Sequence, residues 1–163
     1  MKLKVKRITS YDEAKIIANW KYDEPYAIYK MDENDSSLRE LLDGSYYSAT
    51  DEEDNLTGYF CFGKSARVAA GEMAGVYHEG GFTDIGLGMA PDLCGRGYGY
   101  DFMQAGMHFA RKRLSINKFR LTVAAFNVRA IKVYEKLGFI KTGSFKRVSE
   151  DRSVEFIVMN LIK

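Results

Sequence analysis

Hydrophobic and polar positions change their period along the chain, and these changes outline a series of strands and helices. Leu3, Val5 and Ile8 stand near alternate positions, which predicts a first strand. Ser10 followed by Glu13 is a capping-box pattern, and the apolar spacing after it predicts a helix to about residue 20. Further along, the pattern predicts helices over 36–42, 97–113 and 127–137, and strands over 46–50, 56–62, 82–89, 119–125, 139–148 and 154–161.

The stretch from 63 to 81 contains several glycines and no sustained period, so we expect a loop or ragged strand ends there. Helices alternate with strands only in the middle of the chain, and both ends contain hairpin-like runs. This order predicts an α/β chain of the mixed α+β type, with one mixed sheet covered by helices. The length of 163 residues fits a single domain over 1–163, and no repeat or linker divides it.

A glycine-rich turn follows the strand over 82–89 and opens the next helix. Gly95, Gly97 and Gly99 allow consecutive backbone N–H groups to point into one concavity, where the positive end of the helix favours an anion. This geometry is that of a phosphate cradle, although glycines also serve ordinary turns. Tyr100 and Asp101 stand where a P-loop nucleotidase would have Lys-Ser/Thr, so the phosphate-binding lysine of that class is absent.

A second strand-to-helix unit follows about thirty residues later and carries Asn127, Ala130 and the run Tyr134-Glu-Lys-Leu-Gly-Phe. Together the two units resemble the GCN5-related N-acetyltransferase (GNAT) family. Its coenzyme A loop reads Arg/Gln-x-x-Gly-x-Gly/Ala, and its next helix commonly carries Asn-x-x-Ala…Tyr-Glu-Lys-Leu-Gly-Phe. Cys94 departs from the loop pattern, because it stands where the family usually has Arg or Gln. The close match covers about residues 82 to 140.

The resemblance implies a single-domain acyl-CoA N-acyltransferase fold with helices on both faces of the sheet. The sheet would splay between the strands over 82–89 and 119–125, and the pantetheine arm of acetyl-CoA, the co-substrate, would lie in that gap. The backbone of Leu87 and Met89 would bind the pantetheine carbonyls, and one of their amides could serve the oxyanion. The implied coenzyme-binding residues are Leu87, Met89, Cys94, Gly95, Arg96, Gly97, Gly99, Asn127 and Ala130. No metal is implied.

Tyr134 is the leading candidate for the catalytic acid, since a phenol stays protonated at neutral pH and can donate to a departing thiolate. The alternative is a packing residue of an amphipathic helix. Asn127 caps the same helix in either interpretation, and the resemblance adds a hydrogen bond to pantetheine. Asp84 is the candidate base for the acceptor amine, against the alternative of a structural carboxylate. Weaker candidates for the base are Glu72, Glu79, His78 and an ordered water.

Four aromatic residues, Trp20, Tyr22, Tyr26 and Tyr29, cluster around Pro25, where the family places the segment that lines the acceptor groove. They could hold an amine cation or form a packing cluster. The expected reaction is direct transfer of acetyl from acetyl-CoA to a primary amine in a ternary complex, on a protein amino terminus or a small molecule. The alternative function is a non-catalytic acyl-CoA sensor or scaffold. An acyl-cysteine route through Cys94 is disfavoured, because that residue belongs to the diphosphate end.

Composition adds few constraints. Lys plus Arg number 24 and Asp plus Glu 22, a formal net charge of +2, which implies no strong attraction to nucleic acid or to an anionic membrane. The 2 cysteines make no disulfide framework, and the amino terminus has no apolar signal region, so a cytoplasmic location is expected. If the chain forms a homodimer, its long terminal hairpin is the element expected to pair between subunits.

Overall fold

A computed structural model describes residues 2–162. These residues form a seven-stranded sheet in the order β1-β2-β3-β4-β5-β7-β6. Every neighbouring pair is antiparallel except β4 and β5, which are parallel. The strands are β1 (Lys4–Arg7), β2 (Tyr46–Thr50), β3 (Leu56–Phe62), β4 (Thr83–Met89), β5 (Phe119–Ala124), β6 (Ile140–Ser149) and β7 (Arg152–Leu161).

Helices cover both faces of this sheet. They are α1 (Tyr11–Ala18), α2 (Asp35–Leu41), α3 (Ala69–Met73), α4 (Gly99–Leu114) and α5 (Val128–Lys136), with shorter 3₁₀ turns at Tyr26–Tyr29, Gly63–Ala66 and Pro91–Leu93. The predicted elements over 36–42, 97–113 and 127–137 are therefore present with slightly different ends. The expected loop over 63–81 instead contains a 3₁₀ turn and α3, since a helix of 5 residues is too short to show a period.

Alternation along the strands divides the core between the two faces. On one face, α4 and α5 pack over side chains such as Phe60, Leu121 and Met159. On the other, α1 and α2 cover the β1–β3 half of the sheet, and α3 packs against β6 through Gly71, where a Cβ would come 2.9 Å from the ring of Phe145. The expected mixed sheet with helices on both faces is confirmed.

The two ends of the sheet are formed by β1 and β6. Because β6 is an outer strand, its edge is available for the subunit pairing predicted from the sequence, and the pairing itself stays a prediction. None of the helices within residues 2–162 is long and apolar enough to cross a bilayer.

Candidate active site

The sheet opens in the middle. The parallel strands β4 and β5 pair only through Thr83 with Phe119 and Asp84 with Arg120, and beyond these two pairs they separate. We call this point the fork. It is the splay that the resemblance implied.

Hydrogen-bond alternation shows which groups of β4 face the gap beyond the fork. The Ala90 N–H donates to the Thr57 carbonyl on β3 at 2.9 Å, whereas the Thr83 N–H donates in the opposite direction, to the Lys118 carbonyl, at 2.9 Å. Since successive residues of a strand alternate in direction, the backbone N–H and C=O groups of Leu87 and Met89 point into the gap. The gap therefore has donors and acceptors along one wall.

A cavity of about 580 Å³ runs through the gap. Its lining comes from the glycine-rich turn, both strands of the fork, the first turns of α5, the aromatic segment around residues 22–29, and strands β6 and β7. Of the residues suggested by the sequence, the lining contains Leu87, Met89, Cys94, Gly95, Gly97, Gly99, Asn127, Ala130, Tyr134, Tyr22, Tyr26 and Tyr29. Their binding and catalytic roles stay predictions.

The glycine-rich turn has the backbone conformation that a cradle needs. Gly95 and Gly97 adopt φ values of 73° and 83°, in the left-handed region that side chains with a Cβ rarely occupy. The helix α4 begins at Gly99, so its first N–H groups lack intrahelical partners and lie beside the turn. This end of the cavity, which we call the donor end, offers backbone N–H groups to an anion.

Cys94 lies against the start of this turn. Its thiol donates to the carbonyls of Ala90 and Met89, with Sγ–O distances of 3.6 and 3.8 Å. Burial raises the pKa of the Cys94 thiol above its ordinary value. The thiol is therefore protonated at neutral pH, which argues against an acyl-cysteine route.

The cation at the donor end is Arg129, which the sequence reasoning did not select. Its Nη1 would lie 3.1 Å from a Cβ built on Gly95, and its guanidinium lies 4.2 Å from the ring centroid of Tyr26. Arg96 is exposed and is absent from the cavity lining within residues 2–162. No local pattern marks Arg129, because its position depends on the approach of α5 to a turn thirty residues earlier in the chain.

Asn127 connects α5 to the aromatic segment. Its Oδ1 accepts from the Ala130 N–H at 3.3 Å, which confirms the capping role, and its Nδ2 donates to the Tyr29 hydroxyl at 3.1 Å. The same hydroxyl accepts from the N–H of Ala124, the last residue of β5, at 3.3 Å. These bonds fix the start of α5 against β5 beside the gap.

Tyr134 lines the cavity. The residue is 9% exposed, and its ring meets that of Phe139 edge-on, with the centroids 6.0 Å apart. Burial raises the pKa of the Tyr134 phenol well above its ordinary value, and the nearby Tyr29 raises it further. Within residues 2–162 the hydroxyl has no hydrogen-bond partner, so it is free to donate to a group in the cavity.

Asp84 lies at the fork with both carboxylate oxygens occupied. Arg120 donates to them from Nε at 2.7 Å and from Nη2 at 2.7 Å, and the Nε of Arg67 adds a bond of 2.8 Å. Asp84 and Arg120 are 0% and 1% exposed, and Asp84 is absent from the described cavity lining. This geometry argues against the prediction that Asp84 takes a proton from the amine, because its lone pairs are engaged and it is screened from the cavity.

The other candidate bases also lie elsewhere. Glu72 pairs with Nη1 of Arg67 at 2.9 Å, and the Glu79 backbone carbonyl accepts from Arg120. His78 is exposed and contacts the Gly75 carbonyl. Within the described part of the chain, no aspartate, glutamate or histidine lines the cavity.

The aromatic segment divides into two roles. Tyr22, Tyr26 and Tyr29 line the cavity, and the Tyr22 hydroxyl donates to the Met89 carbonyl at 2.9 Å. Trp20 instead stacks on Tyr59, with ring centroids 6.3 Å apart, and is absent from the described lining. Tyr59 in turn covers β4 at Gly88, where a Cβ would come 2.3 Å from its ring. The prediction that Trp20 contacts the acceptor is thus not supported by its position.

Comparison with known proteins agrees with this geometry. A family model described as an acetyltransferase (GNAT) domain matches residues 2–140. Among solved structures, a GNAT-family acetyltransferase from Bacillus anthracis has a TM-score of 0.70 over 98% of this chain and 94% of its own, at 15% identity. Mutant forms of the spermidine/spermine N-acetyltransferase SpeG from Vibrio cholerae give 0.70 over 99% and 95%, at 18% identity. No curated protein matches the chain.

The chain therefore belongs to the GNAT family. As its family assignment indicates, it is an acetyl-CoA-dependent N-acetyltransferase.

Proposed function

We propose that the cavity binds acetyl-CoA and a primary amine together and transfers the acetyl group directly between them. The observation that carries this proposal is the single cavity whose lining includes the glycine-rich turn, both strands of the fork, the aromatic segment and Tyr134. Direct transfer requires both reactants to be held side by side in one space, and proximity of this kind supplies a large part of the rate enhancement.

The donor end is suited to the diphosphate of coenzyme A. The N–H groups of the turn at Gly95 and Gly97, the start of α4 and the guanidinium of Arg129 all favour an anion there. This set compensates for Cys94, whose thiol does not supply the Arg or Gln side chain that the family loop usually has at this position.

The fork is suited to the arm that follows the diphosphate. The gap-facing N–H and C=O groups of Leu87 and Met89 can pair with the amides of pantetheine, and the Met89 carbonyl is already used by Tyr22. An N–H group in this gap can also stabilise negative charge as it develops on the acetyl oxygen. The thioester supplies the activated acetyl group.

Tyr134 supplies the proton that the departing thiolate needs. Because burial raises the pKa of the phenol, the hydroxyl is protonated throughout the neutral range, and its hydrogen has no protein acceptor within residues 2–162. Tyr134 thus acts as the general acid of the proposed reaction.

The amine enters as the free base. The described lining offers no aspartate, glutamate or histidine to remove its proton. Two cysteines line the cavity, and burial raises the pKa of Cys61 to about 12 and also raises the pKa of Cys94, so neither thiol is a thiolate base at neutral pH. Asp84 holds Arg120 and Arg67 at the fork and is a positioning residue.

Release of free thiol from acetyl-CoA, measured with a panel of primary amines, tests the proposal. We expect release that depends on the amine and an N-acetylated product of the corresponding mass. A protein that binds coenzyme A by calorimetry but releases no thiol with any amine would instead be the sensor or scaffold considered from the sequence.

A further inference from the structure

One part of the cavity lining has an unusual charge distribution. We call it the acceptor end and define it by Arg67, Val68, Arg147 and Phe156, which are neighbours because Val68 packs against the cluster that contains Phe156. The described lining contains three arginines and no carboxylate, and one of the arginines, Arg129, belongs to the donor end. Asp84 and Glu72 compensate Arg67 from outside this lining, whereas the acceptor would meet Arg147 without a facing carboxylate.

Arg147 is the uncompensated charge of this pair. It rises from the outer strand β6 at an exposed position, and its guanidinium lies 5.1 Å from the ring centroid of Phe156 on β7. Phe156 stacks in turn on Phe145, with ring centroids 5.3 Å apart. Within residues 2–162 no carboxylate forms an ion pair with Arg147.

Arg67 is held rather than free. Its Nε donates a hydrogen bond to Asp84 and its Nη1 donates one to Glu72, and these two bonds fix the orientation of the guanidinium. Within the described structure, Nη2 has no partner and can donate to a ligand. The guanidinium also lies 5.3 Å from the ring centroid of Tyr77. An arginine oriented in this way can bind an anion with little further loss of side-chain entropy.

We infer that the acceptor is a primary amine that carries an anionic group, such as a carboxylate, which Arg147 and Arg67 bind while the amine faces the thioester. This inference rests on the proposed function and specifies its substrate class. A polyamine or an aminoglycoside would bring further ammonium groups against the uncompensated charge of Arg147, which is unfavourable. The anion could belong to a free amino acid or to an acidic residue at a peptide amino terminus.

Matched acceptors separate these cases. We would measure kcat/KM, expressed per concentration of unprotonated amine because the acceptors differ in amine pKa, for the common amino acids and for their α-amides, for the peptide amides Asp-Ala-NH₂ and Asn-Ala-NH₂, and for spermidine. We expect free amino acids, or the Asp peptide, to exceed their neutral counterparts by about tenfold to a hundredfold, since hydrogen bonds to charged groups have that strength. Preference for free amino acids indicates a small-molecule acceptor, and preference confined to the Asp peptide indicates a protein amino terminus.

Arg147→Gln tests the assignment to this residue and should reduce the preference to about threefold or less. Arg152→Gln is the control, because Arg152 lies on the same hairpin, pairs with Glu24 at 4.0 Å, and is absent from the described lining. Its preference should equal that of the wild type. A wild-type preference for the α-amides or for spermidine, or an unchanged preference in Arg147→Gln, would overturn the inference.

A binding measurement keeps this inference separate from the proposed function. N-acetyl amino acids and their amides, titrated calorimetrically into the protein with coenzyme A, should show the same charge preference as the substrates. Thiol release without any charge preference overturns the inference and leaves the proposed function in place. Charge-selective binding without thiol release contradicts the proposed function alone, and the absence of both overturns the inference as well.

Discussion

The proposed proton donation to the thiolate depends on a single hydroxyl, that of Tyr134. Tyr134→Phe removes that hydroxyl and little packing, so we expect kcat to fall by about 10²-fold while the affinity for acetyl-CoA stays the same. Tyr47→Phe is the matched control, because Tyr47 is 7% exposed and belongs to the core over α4, away from the cavity. Steady-state kinetics and calorimetry check both values. Wild-type turnover in Tyr134→Phe, with chemistry rate-limiting, would return this tyrosine to a packing role.

The proton balance of the reaction gives a pH prediction at the same scale. Because the amine enters as the free base, kcat/KM for the amine should rise with pH and level off near the pKa of the acceptor in use. The raised pKa of Tyr134 means that its proton is retained above the ordinary tyrosine value of about 10, so no decrease from this residue should follow below that pH. Profiles for two acceptors with different amine pKa values decide this. Identical midpoints would indicate a base on the protein.

Asp84 should affect stability more than chemistry. Asp84→Asn leaves the buried guanidinium of Arg120 without its charge partner, which we expect to lower the free energy of unfolding by about 3–5 kcal/mol. Glu72→Gln, at an ion pair whose carboxylate side chain is 48% exposed, should cost less than about 1 kcal/mol. Urea denaturation measures both. Removing the second charge as well, in Asp84→Asn with Arg120→Gln, should recover part of the loss, and an unchanged stability in Asp84→Asn would contradict the positioning role.

Among the secondary elements, the glycine-rich turn carries the most specific prediction. Gly97→Val forces a side chain into a left-handed conformation and into the concavity, so both stability and affinity for coenzyme A should fall. Gly81→Val is the control, because Gly81 has a φ of 89° but lies outside the described cavity lining. Both variants should lose about 1–2 kcal/mol of stability. Calorimetric titration with coenzyme A should show weaker binding in Gly97→Val alone, and equal affinity in both variants would reject the cradle.

These same elements show what the sequence could and could not predict. The turn at residues 94–99, the capping by Asn127 and the alternation of Leu87 and Met89 are local patterns, and each is present as expected. Arg129 and Arg147 were missed, because each reaches the cavity through contacts between segments far apart in the chain. Asp84 was interpreted as a base because the sequence does not reveal that Arg120 faces it across the fork.

At the scale of the whole molecule, buried phenols make stability sensitive to alkaline pH. Burial raises the pKa of six tyrosines, Tyr22, Tyr29, Tyr46, Tyr59, Tyr77 and Tyr134. Above a pH of about 10 the unfolded chain releases these protons and the folded chain keeps them, so the free energy of unfolding should fall as the pH rises. Urea denaturation between neutral pH and pH 11 measures the slope.

A variant tests whether the buried phenols cause this decrease in the free energy of unfolding at alkaline pH. Tyr46→Phe removes one buried hydroxyl and should make the alkaline decrease shallower, whereas Tyr11→Phe, at a position 55% exposed, is the matched surface control. The same decrease in the wild type and in Tyr46→Phe would show that other groups cause it.

The whole molecule is organised around the fork, since both strands, the glycine-rich turn and the start of α5 meet in one cavity there. A crystal structure with coenzyme A is the most direct test of this account. The proposed function predicts that the diphosphate binds the N–H groups of residues 95–99 beside Arg129 and that the pantetheine amides bind the backbone of β4. The thiol sulfur should lie within about 4 Å of the Tyr134 hydroxyl. Coenzyme A bound outside the gap, or with its sulfur remote from Tyr134, would contradict it.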